Sequence, residues 1–225
     1  MKIMHYIHAA MVAIGFAVTM SSCDEHIEFP DTAMKTCDIL CTDGEIVRFA
    51  DIESKGKTPI GVVFHVNQDG KTEGTGYAVY LWDVEPSAFS DSLGVKQNTS
   101  ADPAAFDGNA NTYAMYASGV SSAATSVFDM WKYGQSAYIP SVAQLQLLYA
   151  SRNAVNSYIS KCGGDVISAE PNQCWYWSST EVSGQESAKA WLFSLASGAL
   201  QETPKVESHK IRPIITLYNQ VIVRK

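Results

Sequence analysis

Apolar residues recur at spacings of three and four in the middle of the chain, the pattern of one helix face: Val142, Leu145, Leu148 and Tyr149. Before them, Pro140 favours an extended preceding residue, and Ser141 can cap the free N–H groups of a helix that follows. The glycine pair Gly163-Gly164 favours a helix end. The pattern therefore predicts a helix that begins after Ser141, continues to about Tyr158 and stops by the glycine pair.

A different period, the alternation typical of strands, begins at Trp175. Trp175 and Trp177 fall on one face of this strand and Tyr176 on the other, and residues 178–180 continue it. The sequence therefore predicts a strand that starts at Trp175 and ends near Glu181.

A second alternating strand covers residues 190–195. Leu192 and Ser194 fall on one side of it. The opposite side is large and apolar: Trp191, Phe193 and Leu195. Ser197-Gly198 is a turn signal, and residues 199–201 begin the returning strand, so this region predicts a late hairpin.

An earlier hairpin is predicted from Pro59–Val66 and Gly76–Trp82, which are rich in β-branched and aromatic residues. The intervening residues 67–75 contain the turn signal Asp69-Gly70. The two segments therefore predict adjacent antiparallel strands.

The remaining segments complete the prediction of an α+β fold, with antiparallel strands and hairpins and two short helices. Residues 110–117 predict a short helix in addition to the one after Ser141, and residues 84–101 predict a surface loop. Residues 211–217 predict a late strand. Its Pro213 belongs at an edge or bulge because proline has no N–H to donate.

Together these motifs resemble a known family. The motifs are Ile139-Pro140-Ser141, Gly163-Gly164, Tyr176–Glu181, Ala190-Trp191, Ser197-Gly198 and Ile211–Ile214, with Asp107–Thr112 as an upstream turn. The pattern is similar to the domain named after the C-terminal region of the Legionella collagen-like adhesin, over roughly residues 101–217. The resemblance implies a C-type-lectin-like fold, which also occurs in surface lipoproteins of gut Bacteroides-type bacteria.

The N-terminal segment predicts export and a lipid anchor. It contains Lys2 and an apolar run, Ala9–Met20, that is short for a membrane span. Small residues before Cys23 resemble a bacterial lipobox. In a lipobox the Cys is lipidated and the chain is cut before it. The alternative is an ordinary signal peptide followed by an incidental Cys. We therefore expect an outer-membrane lipoprotein, exposed at the cell surface. Its predicted parts are a signal peptide (1–22), a tether (23–36) and a single domain (37–225).

Composition narrows the classes of partner. Of 225 residues, 46% are apolar and 17% charged, which is ordinary for a globular protein. The net charge of −7 and the lack of a basic cluster argue against a nucleic acid partner. The sequence has no phosphate-binding glycine loop and no nucleophile elbow, and we predict no cofactor.

Four cysteines follow Cys23, and an exported chain can oxidise them. They allow three pairings, of which sequence proximity favours Cys37–Cys41 and Cys162–Cys174. The spacing is not Cys-x-x-Cys and no His lies near either pair. Disulfides or buried free thiols are therefore favoured over a metal site or a catalytic thiol.

The tripeptide Glu170-Pro171-Asn172 also marks mannose-type calcium sites in animal C-type lectins. Carboxylate and amide oxygens suit calcium. In those lectins, however, the tripeptide lies later, in a long loop with a Trp-Asn-Asp partner downstream, and this chain has no Trp-Asn-Asp. The sequence therefore favours a simple turn before a strand, and no metal site is predicted.

The resemblance places a ligand face on the late hairpin. In related variable proteins this hairpin and the loop before it contact the ligand, and carrying the positions over yields seven candidates: Glu181, Gln185, Glu186, Lys189, Leu192, Ser194 and Gln201. Strand alternation separately turns Leu192 and Ser194 away from the large apolar side. Trp175, Trp177 and Trp191 are predicted to belong to the core rather than to a sugar platform.

Three functional hypotheses follow. The first is a non-enzymatic, lipid-anchored envelope protein that binds a glycan, matrix or protein ligand through the exposed face of the late hairpin. The second is a structural or accessory subunit of a surface or fimbria-like assembly. The third, an enzyme, is least favoured: the implied fold is shared with formylglycine-generating enzymes, which need a late cysteine pair, and no Cys follows Cys174.

Overall fold

The computed structural model describes residues 33–128, 130 and 137–218. From Met34 onward, the described residues belong to one compact unit. This part of the chain contains ten strands and three α-helices, which confirms the predicted α+β class. The signal segment 1–22, Cys23 and most of the tether lie outside the described residues.

The strands form two five-stranded sheets. In chain order they are β1 (Ile39–Cys41), β2 (Ile46–Val47), β3 (Pro59–Val66), β4 (Gly76–Tyr80), β5 (Val84–Ala88), β6 (Trp175–Glu181), β7 (Lys189–Ser194), β8 (Leu200–Pro204), β9 (Ser208–Ile211) and β10 (Ile214–Leu217). The first sheet has the order β10-β4-β3-β1-β2 and the second β5-β9-β6-β7-β8. Both predicted hairpins are confirmed, since β3 pairs with β4 and β7 with β8 in antiparallel register.

The described helices are α1 (Gly108–Ala117), α2 (Ser122–Phe128) and α3 (Val142–Lys161), and a 3₁₀ helix covers Phe49–Asp51. The predicted start of α3 is confirmed. Ser141 Oγ accepts a bond from the Gln144 N–H, and Gln144 Oε1 accepts one from the Ser141 N–H at 3.0 Å, which forms a capping box. Among the described helices, none has the length and apolar character needed to cross a membrane.

The prediction of two short helices is wrong in both number and length. Helix α3 has 20 residues, and α2 is a third helix that the sequence pattern does not predict. Helix α2 has seven residues and begins where Ser121 Oγ accepts a bond from the Ala124 N–H. Its buried side chains are small: Ala123, Ala124 and Val127. Such a short segment has too little apolar periodicity to identify a helix.

Two strands also differ from their predicted form. Strand β5 lies in the segment predicted as a loop, and its Pro86 is tolerated because β5 is an end strand that pairs with β9 on one side. The strand predicted over residues 211–217 is divided between β9 and β10, which belong to different sheets. Pro213 lies in this break, and its carbonyl accepts a bond from the Tyr80 N–H at 2.9 Å.

Two buried apolar clusters lie on opposite faces of β6 and β7. The first contains α3 side chains together with Tyr176 and Phe193, and the second contains residues of α1 and α2 together with Trp177 and Leu192. The alternation predicted for these strands is therefore correct. The strands nevertheless have apolar packing on both faces, which alternation by itself does not predict.

The buried Arg212 joins the two sheets where the chain passes from β9 to β10. Its Nη1 donates to the carbonyls of Tyr80 at 3.1 Å and Leu81 at 2.9 Å, and its Nη2 donates to the Asp165 carbonyl at 2.7 Å. Its Nε lies 2.7 Å from Asp83 Oδ1. A buried guanidinium needs such a set of partners, since an unpaired buried charge is costly.

Substitution of Trp177 tests this description of the core. Trp177 is fully buried, lies edge-on to Phe89 at 5.6 Å and donates Nε1–H to the Ser87 carbonyl at 3.0 Å. We expect Trp177→Ala to lower the free energy of unfolding by about 3–5 kcal/mol, measured by chemical denaturation. The control is Trp82→Ala, where the ring is 39% exposed and the loss should be much smaller. Equal losses for the two variants would contradict the assigned core.

Candidate functional site

The face predicted for ligand binding on the late hairpin is partly buried. Glu181, Leu192 and Ser194 are each 1% exposed. Leu192 belongs to the second apolar cluster, and Ser194 Oγ accepts a bond from the Ser197 N–H at 3.2 Å and lies 3.3 Å from Cys174 Sγ. The prediction that these three residues lie on an exposed face is wrong. The second cluster covers Leu192, Ser194 contacts Ser197 and Cys174, and Glu181 pairs with Lys205.

Glu181 forms an ion pair with Lys205 in the interior. Lys205 is fully buried, and its Nζ also donates to the Val95 carbonyl at 3.2 Å. Glu181 Oε1 accepts a second bond from the Gln97 N–H at 2.9 Å. Burial lowers the pKa of Lys205, and the adjacent Glu181 carboxylate opposes this shift. The pair therefore attaches the segment that contains Val95 and Gln97 to the end of β6.

Three other predicted residues belong to a separate polar surface. Gln185 and Lys189 both donate to Glu202 Oε2, at 3.1 and 3.0 Å, and the Lys189 bond lowers the pKa of the Glu202 carboxyl. Glu186 Oε2 lies 3.4 Å from Lys96 Nζ. The predicted set thus does not form one site: its members divide among the interior, this network and a cleft.

A cleft of about 380 Å³ opens beside the second sheet. All five strands of that sheet and the loop before β6 contribute to its lining: Pro86, Pro171, Asn172, Gln173, Trp175, Leu192, Gln201, Ser208, His209 and Lys210. We name this site the Trp175 cleft. It includes two residues of the predicted set, Leu192 and Gln201, which are direct partners in the β7–β8 register.

The Trp175 cleft combines one half-buried indole with polar side chains. Its two basic side chains lie beside carboxylates: His209 Nε2 lies 3.2 Å from Glu207 Oε2, and Lys210 Nζ lies 3.2 Å from Asp83 Oδ2. The lining itself contains no Asp or Glu. The cleft can therefore offer an aromatic surface and hydrogen-bonding groups with little net charge.

Sequence reasoning missed most of this cleft. The turn predicted at Glu170-Pro171-Asn172 is confirmed, since the Gln173 N–H donates to the Glu170 carbonyl at 2.9 Å, but the sequence did not predict that Pro171 and Asn172 line a cleft. It did not single out Pro86, Gln173 or residues 208–210. These residues come from distant parts of the chain and share no spacing or motif, so no local signal could have identified them together.

The predicted disulfides are not formed, and the four described cysteines are free thiols. Cys41 Sγ faces the Ile39 carbonyl at 3.8 Å, and Cys174 Sγ faces the Pro171 carbonyl at 3.5 Å. Burial raises the pKa of Cys41 to about 11 and also raises the pKa of Cys37 and Cys162. Such shifts oppose thiolate formation, so these three thiols have the character of packing groups.

The described residues contain no group of three or more His, Cys, Asp or Glu side chains with the placement that a metal ion needs. At Glu170-Pro171-Asn172, the three residues are exposed, and Asn172 faces the Trp175 cleft. The cleft offers an indole, amide groups and a hydroxyl to which a ligand can bind.

Comparison with known proteins yields a likeness of fold. A solved structure of a fimbrial protein from Bacteroides ovatus ATCC 8483 matches with a TM-score of 0.62 and 17% identity. The match covers 81% of this chain and 49% of that protein, so this chain spans about half its length. No family model and no curated protein matches the sequence. The fold is therefore similar to part of a fimbrial protein, and fold alone does not assign a function.

The ion pair of Glu181 and Lys205 has a measurable structural role. Glu181→Ala leaves the Lys205 ammonium buried without its partner, and we expect a loss of about 3–5 kcal/mol in the free energy of unfolding. Denaturant titration of Glu202→Ala, which breaks the exposed pair with Lys189, should show a much smaller loss. The double variant Glu181→Leu with Lys205→Met should recover part of the stability, because it removes the unpaired charge but leaves the Gln97 N–H and the Val95 carbonyl without these partners. A small effect of Glu181→Ala would mean that the pair is accessible to water.

Proposed function

We propose that this chain is a non-enzymatic subunit of a cell-surface assembly of the fimbria-like kind. The observation that carries the proposal is the likeness of fold to a fimbrial protein over 81% of the chain. That protein is about twice as long as the matched region, so an assembly role for this chain is an inference from a shared domain.

The end strand β8 favours contact with another protein. It is the last strand of the second sheet, and an end strand has backbone N–H and C=O groups along one side that can pair with a further strand. Leu200 at its start and Val206 just after its end are 38% and 41% exposed. An open strand edge flanked by two exposed apolar side chains suits a protein partner better than a small soluble ligand.

The proposal retains the cell-envelope location that the N-terminal sequence predicts. The lipobox resemblance supports anchoring through Cys23, and the motif resemblance supports a C-type-lectin-like fold for the domain. The face of the late hairpin that the sequence predicts as the ligand face does not serve in this role, because its residues Glu181, Leu192 and Ser194 are buried.

Cross-linking on intact cells tests the assembly role. Cells that make the full chain are treated with an amine-reactive reagent that does not cross membranes, and the tagged chain is then isolated in detergent. We expect discrete larger species that decrease for Leu200→Glu and Val206→Glu. Val166→Glu, at a 50% exposed position between α3 and β6, should leave them unchanged. Recovery of the wild-type chain as a monomer alone would refute the proposal.

Membrane fractionation tests the anchor. Cys23→Ser removes the sulfur to which lipid would be attached, so we expect the chain to move from the membrane fraction to the soluble fraction. Cys174→Ser, which changes a cysteine inside the fold, should remain with the membranes. Continued membrane attachment of Cys23→Ser through the same lipid would show that the lipobox interpretation is wrong.

A further inference from the structure

We infer that the Trp175 cleft binds a neutral saccharide without calcium. This inference goes beyond the proposed assembly role and does not depend on it. It rests on the dimensions of the cleft, on the groups that line it and on the low net charge of those groups and their carboxylate partners.

The cleft has the dimensions of a small-molecule site. Its volume of about 380 Å³ falls within the range of roughly 300–1,000 Å³ that is usual for ligand pockets. Five paired strands form its walls, so the lining positions are held by the sheet rather than by a loop alone. The backbone of the strand positions is therefore fixed by the sheet, while Pro171, Asn172 and Gln173 come from the exposed loop before β6.

The lining suits sugar hydroxyls. Asn172, Gln173 and Gln201 each carry an amide with two donors and an acceptor, and Ser208 adds a hydroxyl. Within the described part of the chain, the structure shows no hydrogen bond from any of these four side chains, so their capacity is not used by the fold. A saccharide offers many hydroxyls that both donate and accept, which matches groups of this kind.

The indole of Trp175 supplies the apolar surface. Trp175 is half-buried, packs against the second apolar cluster on one side and lines the cleft on the other. The C–H face of a pyranose ring can lie against such an aromatic ring, which buries apolar area while the hydroxyls at the rim contact the amides. Leu192 lies beneath the cleft and is only 1% exposed, so the indole provides the apolar contact surface.

The charges favour a neutral sugar over an acidic one. Lys210 and His209 are the basic groups of the lining. Lys210 Nζ lies 3.2 Å from Asp83, a carboxylate that Arg212 also contacts, and His209 Nε2 lies 3.2 Å from Glu207. A uronate would have to compete with these carboxylates.

Affinity electrophoresis provides the test. The full chain, purified in detergent, is run through native gels that contain mannan, arabinogalactan or β-glucan, with polygalacturonate as the acidic comparison and with EDTA throughout. We expect retardation by at least one neutral polysaccharide. A matching oligosaccharide is then titrated by calorimetry to obtain Kd.

Two variants in the cleft and one matched control outside it test whether the sugar binds in the Trp175 cleft. Gln201→Ala and Trp175→Phe should each raise Kd by at least about tenfold, because each removes a group that contacts the sugar. Gln185→Ala makes the same side-chain change outside the cleft and should leave Kd within about twofold. Gln201 is exposed, so its variant should keep the thermal unfolding temperature of the wild type.

Three results would overturn the inference. They are failure of all three neutral polysaccharides to retard the chain, retardation by polygalacturonate alone, and binding that Gln201→Ala and Trp175→Phe leave unchanged. The cross-linked species expected for a surface assembly should persist in Trp175→Phe, because Trp175 lies in the central strand β6 and not in the end strand β8. Failure of the sugar site and failure of the assembly role therefore give different results.

Discussion

The buried guanidinium of Arg212 is the contact on which the arrangement of the two sheets depends. It lies where the chain leaves the second sheet for the first, and it donates to the carbonyls of Tyr80, Leu81 and Asp165 while its Nε lies 2.7 Å from Asp83 Oδ1. These partners come from the end of β4, the loop after α3 and the segment that leads into β5. The guanidinium thus bonds to backbone carbonyls at a junction where neither sheet supplies them with a partner. Its burial is tolerable only because these carbonyls and the Asp83 carboxylate surround it.

The late hairpin lies between two layers of apolar packing. Because the sheets and helices meet around β6 and β7, these strands pack against an apolar cluster on each face. Leu192 and Ser194 are then part of the interior, although alternation correctly turns them away from Phe193. Alternation reports which residues share a face, and it does not report whether that face is covered.

The polar groups that are free to contact a partner or a ligand accordingly lie at the margins of the second sheet. Glu181 and Lys205 are exceptions that serve the interior, where they secure the segment before α1. The open edge of β8 and the Trp175 cleft are distinct surfaces, one suited to a protein strand and the other to a small polar ligand.

The sequence by itself determined the elements whose signals are local: the capping box at Ser141, the period of α3, the early hairpin and the alternation of Trp175–Trp177. These depend on residues within a few positions of one another. Tertiary structure alone decided that Glu181 is buried and that Gln201 joins Asn172 at one cleft. Burial and site geometry arise from segments that lie far apart in the chain, and no spacing within a single segment records which of them will meet.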